Sequence, residues 1–99
     1  MEQIRGLAQG ELDCWFYRTH QGAEIDLLLT KGNRVKAAVE IKYSSAPAVS
    51  KGLYLAVEDV KPEKVFVLVP ESEDYPNSAV VTVTGLSTFL KVHLPSLMA

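Results

Sequence analysis

Residues 22–44 read GAEIDLLLTKGNRVKAAVEIKYS, and they carry the strongest secondary-structure signal in the chain. Two runs within them, residues 23–30 and residues 35–42, alternate polar and apolar positions over much of their length, as half-buried strands do. The KGNR sequence between the runs contains the glycine and asparagine that tight turns favour. The stretch therefore predicts two antiparallel strands joined by a short turn.

The sequence before this hairpin predicts a third strand. Residues 14–20, CWFYRTH, are rich in the aromatic residues that favour strands. Gln21 and Gly22 then predict a two-residue turn, because glycine readily adopts the positive φ that such a turn requires. We expect the first part of the chain to be a three-stranded meander, preceded by a lead-in over residues 1–9.

The sequence after the hairpin predicts a helix. Pro47 stands near its start, where proline is tolerated, and Asp59 and Pro62 mark its end. Apolar residues recur at helical spacing and form one stripe. These residues are Val49, Leu53, Ala56, Val57 and Val60.

Two further strands and a last helix complete the predicted fold. Residues 64–69, KVFVLV, are apolar after the lysine, which is typical of a strand buried on both faces. Residues 79–84 predict the final strand, and the helix after it presents Leu86, Phe89, Leu90 and Leu94. The helix between the third and fourth strands predicts a right-handed crossover. We therefore expect one α/β domain over residues 1–99, with a mixed sheet and a core at residues 10–95.

Composition limits the classes of function. The chain is 47% hydrophobic and 22% charged, an ordinary globular balance. No apolar run approaches the ~20 residues that span a bilayer, and the N-terminus lacks the pattern of a secretory signal. The single cysteine, Cys14, cannot form an internal disulfide, so a cytoplasmic location without a membrane is expected. The net charge of −2 argues against strong DNA binding by this domain alone.

Alternation places three reactive side chains on one face of the predicted hairpin. Residues two apart in a strand point to the same side. If the apolar faces of both strands share a core, then Asp26, Glu40 and Lys42 lie together on the opposite face. Asp26 can oppose Glu40 or Ala38 only if the turn has an odd length or a bulge intervenes, and a three-residue loop within residues 31–34 would satisfy this.

Other residues are candidate substrate contacts around these three. The predicted first turn would pair Tyr17 with Asp26 and Thr19 with Glu24, so that Tyr17, Thr19 and Glu24 flank the carboxylates. Glu24 would also share the face of Asp26. Lys51 begins the helix after the second strand of the hairpin, where it could meet a phosphate.

These groups suit a divalent metal and phosphate hydrolysis. Two carboxylates supply the hard oxygen ligands of Mg²⁺ or Mn²⁺, and the carbonyl of Ile41 can add a third. Such a cation lowers the pKa of a bound water and neutralises phosphate charge. Lys42 would orient the attacking water or stabilise the developing charge. Alternatively, the face is an ordinary solvated surface on which Asp26 and Lys42 form a cross-strand ion pair.

The order and spacing of these motifs are similar to those of a known family. The similar segments are YRT at residues 17–19, GAEID at 22–26, VEIKYS at 39–44 and KGL at 51–53. They resemble the restriction-endonuclease-like, or PD-(D/E)XK, domain at the C-terminus of a prokaryotic family of AAA+-type ATPases. The resemblance runs from about Phe16 to the last helix.

The resemblance implies a restriction-endonuclease-like fold and a Mg²⁺-dependent or Mn²⁺-dependent nuclease site at Asp26, Glu40 and Lys42, with DNA as a partner. It also implies an upstream ATPase module, from which this domain has been separated. The wider superfamily often adds a glutamate from a preceding helix, and only Glu2 or Glu11 is available here. No GxxxxGK[ST] phosphate loop occurs, so we expect no ATP site in this chain.

Two functions follow from these observations. The first is metal-dependent hydrolysis of DNA phosphodiesters by the domain. The second is a catalytically inactive, nuclease-derived module for interaction or regulation, which the acidic charge balance and the poorly placed third carboxylate favour.

Overall fold

The computed structural model describes residues 2–8, 10–43, 49–78 and 80–99, and it has the predicted α/β class. Its elements in chain order are α1 (Glu2–Ala8), β1 (Asp13–Arg18), β2 (Glu24–Lys31), β3 (Arg34–Ile41), α2 (Lys51–Val60), β4 (Lys64–Val69), β5 (Tyr75–Pro76), β6 (Val81–Gly85), α3 (Leu86–Thr88), a π-helical segment (Phe89–His93) and α4 (Leu94–Met98). Pro47, the predicted start of the crossover helix, lies outside the described residues.

The six strands form one mixed sheet in the order β1-β2-β3-β4-β6-β5. The first three strands are the predicted antiparallel meander, whereas β4 lies parallel to both β3 and β6. The α2 helix connects the parallel strands β3 and β4, as the predicted crossover requires. The short β5 strand, which pairs antiparallel with β6, was missed because two residues in a polar loop show no periodicity.

The crossover helix has clear signals at both ends. The side-chain oxygen of Ser50 accepts a hydrogen bond from the Leu53 N–H (3.1 Å) and caps the first turn. At the other end Lys61 adopts a left-handed φ of 50° and donates its N–H to Val57. The predicted apolar stripe is confirmed for the residues that pack against the sheet from α2, namely Leu53, Ala56, Val57 and Val60. Val49 also packs there, but it precedes the helix, which begins at Lys51 and not near Pro47.

Both faces of the sheet are buried. The α2 face, which α2 covers, contains Ile25, Leu28 and Ala38 among its residues. The α4 face, covered by α1, the π-helical segment and α4, contains Leu27 and Val39. The expectation that the hairpin has a single apolar face is therefore wrong, because β2 and β3 each bury side chains on both sides.

A bulge in β2 breaks the alternation on which that expectation depended. Ile25 lies on the α2 face and Leu27 on the α4 face, although they are two residues apart. The pairing of β1 with β2 shifts at this point, between Trp15 and Tyr17, and leaves Phe16 opposite both Asp26 and Leu27. Such an insertion re-aims the side chains around it.

The first turn is one residue longer than predicted. The Thr19 N–H donates to the Ala23 carbonyl (3.0 Å), so the loop contains residues 20–22, with Gly22 at a φ of 94°. This is the common three-residue hairpin loop, which needs a left-handed residue at its end. The predicted Tyr17–Asp26 and Thr19–Glu24 pairs are consequently wrong. Tyr17 pairs with Ile25, and Arg18 pairs with Glu24.

The β1 strand is an edge of the sheet and presents aromatic residues to solvent. Trp15 and Phe16 are 55% and 58% exposed. The indole N–H of Trp15 donates to Thr30 Oγ1 on β2 (2.8 Å), and the Arg18 guanidinium lies 5.0 Å from the ring centre of Phe16. Within the described residues, no helix has both the length and the apolar character needed to cross a bilayer.

Candidate metal and phosphate site

The β2–β3 ladder ends where the candidate residues begin. Leu27–Val39 is the last pair of the β2–β3 register, and Asp26 on β2 and Glu40 on β3 are the residues that adjoin it. The three-residue loop expected between these strands is wrong, because Lys31 pairs with Arg34 across a two-residue turn. The predicted alternative, a bulge, supplies the shift instead.

This bulge lies on β3. Leu29 pairs with Ala37 but Thr30 pairs with Val35, so Lys36 is the extra residue between them. The inserted residue changes which β3 side chains stand opposite β2. Without it, the register set by the two-residue turn would place Val39, and not Glu40, opposite Asp26.

The carboxylate of Asp26 is fixed to the backbone of β3. Its Oδ2 accepts a hydrogen bond from the Ile41 N–H (2.8 Å). The next N–H along the strand, that of Lys42, donates to Leu68 of β4 on the other side (2.9 Å). The Ile41 N–H therefore faces β2, and the Asp26 side chain supplies its acceptor just beyond the last β2–β3 pair, Leu27–Val39.

The carbonyl of Ile41 faces the same side as its N–H. In a strand, the two backbone groups of one residue point to the same neighbouring strand. The Ile41 carbonyl oxygen is therefore directed toward β2, on the side of Asp26. Two kinds of hard oxygen atom, a carboxylate and a carbonyl, thus lie near each other at the end of β3.

The carboxylate of Glu40 is buried, and its two partners among the described residues are distant. The residue is 8% exposed. Its Oε2 accepts from the Ser50 N–H at 3.3 Å, and its Oε1 lies 3.8 Å from the Lys42 ammonium. Both contacts are longer than the ~2.9 Å typical of strong hydrogen bonds, while a buried charge needs close partners. This environment suits an additional cation.

The alternative Asp26–Lys42 ion pair is not the interaction that forms. Lys42 instead approaches Glu40, which lies two residues before it on the same strand. The Lys42 side chain remains about one-third exposed, so its ammonium group reaches solvent as well as Glu40. It is placed to meet a charged group that arrives from solution.

A close approach of α2 to the first hairpin positions the start of this helix. A Cβ atom on Gly52 would lie 2.7 Å from the carbonyl oxygen of Gly22, and 3.5 Å from the Glu24 nitrogen. Only glycine allows this contact without movement of the backbone. The contact explains the glycine of the KGL segment and holds Ser50, followed by the exposed Lys51, beside Glu40.

The donor set fits a divalent ion with an incomplete protein shell. Asp26, Glu40 and the Ile41 carbonyl supply hard oxygen atoms, which Mg²⁺ prefers, and Mg²⁺ is commonly held by one or two carboxylates with waters and phosphate. Among the residues that the structure describes, no group of three or more His, Cys, Asp or Glu side chains could hold a metal ion. Any ion here would therefore keep several positions for water or substrate.

The third carboxylate suggested by the resemblance is not supplied by Glu11. That residue lies beside Lys31 and Gly32, at the opposite end of β2 from Asp26. The side chain of Glu2 lies outside the described residues.

Three predicted substrate contacts have other partners. The Tyr17 hydroxyl donates to Asp59 Oδ2 (3.0 Å). Asp59 lies near the end of α2, whereas Ser50, which contacts Glu40, lies at its start. Burial, followed by this hydrogen bond and the charge of Asp59, raises the pKa of Tyr17. Thr19 Oγ1 accepts from the Ala23 N–H (3.2 Å), and Glu24 forms an ion pair with Arg18 (2.9 Å). Of the four predicted contacts, Lys51 has the most direct connection to the carboxylates, since it follows Ser50.

A second polar cluster was missed in the sequence. Asp74 accepts from the buried Thr84 hydroxyl (2.6 Å), and its other oxygen lies 2.6 Å from His93 Nε2. Burial alone would raise the pKa of Asp74, but the bonds to Thr84 and His93 and the charge of His93 outweigh it and lower that pKa. The three residues are far apart in sequence and share no motif, so only the fold reveals the cluster.

Comparison with known families places the chain. The family model described as Domain of unknown function (DUF4143) matches residues 1–89, which is most of the chain. No curated protein and no solved structure gives a significant match. The chain therefore belongs to the DUF4143 family, whose domains are typically found in ATPase-associated proteins.

Proposed function

We propose that this domain is a nuclease-type module that hydrolyses DNA phosphodiesters with Mg²⁺ or Mn²⁺. One observation carries the proposal: the buried, loosely compensated carboxylate of Glu40 lies next to Lys42, and Asp26 is bonded to the residue between them. A purely structural strand end gains little from a buried carboxylate with a partner at 3.8 Å. A cation site gives that carboxylate a function.

Each residue of the site has a proposed chemical role. Asp26, Glu40 and the Ile41 carbonyl would hold the ion, which supplies a water of lowered pKa and neutralises phosphate charge when it is bound. The ammonium group of Lys42, held beside Glu40 but open to solvent, would orient the attacking water or stabilise charge on the phosphate. Lys51, at the start of α2, would contact a neighbouring phosphate.

The architecture supports a restriction-endonuclease-like ancestry. The antiparallel meander, the helical crossover and the mixed sheet are the features that the resemblance implied. The association of DUF4143 domains with ATPases supports an upstream ATPase module as the partner of this domain. The single cysteine of the chain suits a reducing, cytoplasmic setting. In this proposal the ATPase partner compensates for the weak electrostatic attraction between the domain and DNA.

A cleavage assay tests the proposal. Supercoiled plasmid and branched oligonucleotides are incubated with the domain and Mg²⁺ or Mn²⁺, and nicked products are quantified. We expect Glu40→Ala and Lys42→Ala each to lower the rate at least 100-fold. Glu58→Ala and Lys91→Ala, which change exposed residues of the same types elsewhere, are the matched controls. Activity that survives both site changes would contradict the assignment.

The second candidate is an inactive interaction module. Its support is the pair of exposed aromatic residues on the edge strand β1, Trp15 and Phe16, together with a site to which the described residues bring two carboxylates. Calorimetry separates the two candidates. A folded chain that gives no heat with Mn²⁺ favours the module, whereas a heat that Glu40→Gln abolishes favours the metal site.

A further inference from the structure

An apolar cavity adjoins the candidate metal site. It has a volume of about 180 Å³ and lies at the carboxyl ends of β3 and β4, between Leu68, Pro70 and Leu86, with Lys42 and Tyr43 at its edge. The lining is apolar, and Leu68 and Leu86 belong to the core of the α4 face. Crevices beyond the carboxyl ends of strands are the usual ligand positions in open α/β sheets.

Tyr43 has no packing role that explains its position. It follows Lys42 directly and is 90% exposed, the highest value among the exposed large hydrophobic residues. An aromatic ring held at the edge of an apolar cavity offers a surface on which another flat ring can stack. Base–aromatic stacking of this kind is how proteins hold single-stranded nucleic acid.

The size of the cavity and the position of Lys42 limit the occupant. Sites for whole small molecules commonly occupy ~300–1,000 Å³, so this cavity has room for a single ring system. The cavity opens mainly on the α4 face, to whose core Ile41, Leu68 and Leu86 belong, and Lys42 stands at its edge with its ammonium group 3.8 Å from Glu40 Oε1. A ring in the cavity would therefore leave an attached phosphate at the carboxyl end of β3, where Lys42 lies.

We infer that this cavity takes one unpaired base of a single-stranded or frayed DNA strand. The inference rests on the proposed function for the identity of the ligand as nucleic acid. A base within a duplex must first be unstacked and unpaired, at a cost in free energy. The net charge of −2 leaves this domain little phosphate attraction to offset that cost, so the unpaired strand is the preferred substrate.

Fluorescence anisotropy tests the inference with the 99-residue chain in EDTA. The probes are a labelled 12-nucleotide single strand and the blunt duplex of the same sequence. We expect the single strand to bind at least tenfold more tightly than the duplex. Tyr43→Ala should weaken single-strand binding at least fivefold, which corresponds to the ~1 kcal/mol at the lower end of base–aromatic stacking, and Tyr43→Phe should retain it. Tyr75→Ala, on β5, is the matched control.

The outcomes separate this inference from the proposed function. Equal affinity for duplex and single strand, no measurable binding, or an unchanged Kd in Tyr43→Ala overturns the inference, even if the chain cleaves DNA with Mn²⁺. Conversely, Tyr43-dependent binding in EDTA supports the inference even if the chain gives neither metal heat nor cleavage. Because Tyr43 is exposed, the variant should keep the wild-type thermal midpoint, which confirms that it is folded.

Discussion

Asp26 combines a structural contact with a proposed chemical role, and both involve the same carboxylate. Its Oδ2 accepts a hydrogen bond from the Ile41 N–H just beyond the last pair of the β2–β3 ladder. Its negative charge is needed only if a cation binds there. Because asparagine keeps an acceptor oxygen and loses the charge, a pair of substitutions separates these roles.

We predict that Asp26→Asn leaves the free energy of unfolding within about 0.5 kcal/mol of the wild type, whereas Asp26→Ala lowers it by about 1 kcal/mol. The alanine variant leaves the Ile41 N–H without its acceptor. Both variants should lose the heat of Mn²⁺ binding. Urea denaturation and calorimetry measure the two effects, and a Mn²⁺ heat that persists in Asp26→Asn would remove Asp26 from the ligand set.

The three candidate site residues were identified from the sequence, although the strand geometry around them was not. Alternation selected Asp26, Glu40 and Lys42, although the actual strands contain bulges at Asp26–Leu27 and at Lys36 that alternation does not show. Nothing in the polarity of the sequence marks these insertions. The faces were assigned wrongly, yet the three residues lie at adjoining positions at the ends of β2 and β3.

At the scale of elements, the contact between α2 and the first hairpin determines where Ser50 meets Glu40. The helix approaches so closely that a Cβ on Gly52 would lie 2.7 Å from a backbone oxygen. Backbone atoms cannot give way as a flexible side chain can. The start of α2 would have to move, and the Ser50–Glu40 contact would move with it.

We predict that Gly52→Ala destabilises the domain by about 1–3 kcal/mol, the usual cost of overpacking, and weakens Mn²⁺ binding. The matched control is Gly6→Ala in α1, where a Cβ would meet nothing within 4 Å. That change should stabilise the domain by about 0.5–1 kcal/mol, because alanine is the better helix former. Thermal denaturation measures both, and a neutral Gly52→Ala would show that the helix has freedom to shift.

The contact between the β4–β5 loop and the π-helical segment depends on the charge of Asp74. Its folded-state pKa lies below the ordinary value of 3.8, so ionised Asp74 stabilises the fold. This contribution is fully present above the ordinary pKa and is lost as the pH falls through the lowered, folded-state pKa. The relevant window therefore runs from about pH 4 downward.

We predict that Asp74→Asn lowers stability by about 1 kcal/mol at pH 5.5, a value that allows for the partial exposure of the pair, and that the difference from wild type narrows below pH 4. Urea titrations at several pH values measure this. Asp13→Asn, at an exposed position on β1, is the control. A difference that stays constant down to pH 2.5 would assign the contribution to packing rather than to charge.

Element prediction succeeded where patterns were long. The three strands of the meander, the α2 helix and the apolar β4 strand each extend over at least six residues, and all are present. The two-residue β5 strand and the π-helical turn at Phe89–His93 leave no such pattern. The extra residue of the first loop depended on the Thr19 side chain, which bonds the Ala23 N–H and so favours the longer turn.

At the scale of the whole molecule, charge determines how the domain meets a polyanion. The net charge is −2, and two cationic side chains, Lys42 and Lys51, lie next to the candidate site. Each phosphate that a lysine neutralises on single-stranded nucleic acid adds about −0.7 to the slope of log K against log salt concentration. A domain that contacts few phosphates should therefore show a shallow slope of log K against log salt concentration.

We predict a slope between about −0.7 and −1.4 for the binding of single-stranded DNA to the wild type. In Lys51→Gln, which loses one phosphate contact, the slope should be less negative by about 0.7. Anisotropy titrations between 50 and roughly 300 mM salt measure it. Lys91→Gln, on the π-helical segment, should leave the slope unchanged. A slope steeper than about −3 would mean that nucleic acid follows a different and more basic path across the surface.

The position of Trp15 has a practical consequence for every optical experiment on this domain. It is the only tryptophan, it stands on the outermost strand, and its indole is tied to Thr30 on the neighbouring strand. Tryptophan fluorescence therefore reports the pairing of β1 with β2, and it does not report the mouth of the cavity at Tyr43. A shift of this emission that precedes the loss of helical circular dichroism would show that the edge strand β1 frays before global unfolding. An unchanged emission spectrum on addition of a ligand would not argue against binding.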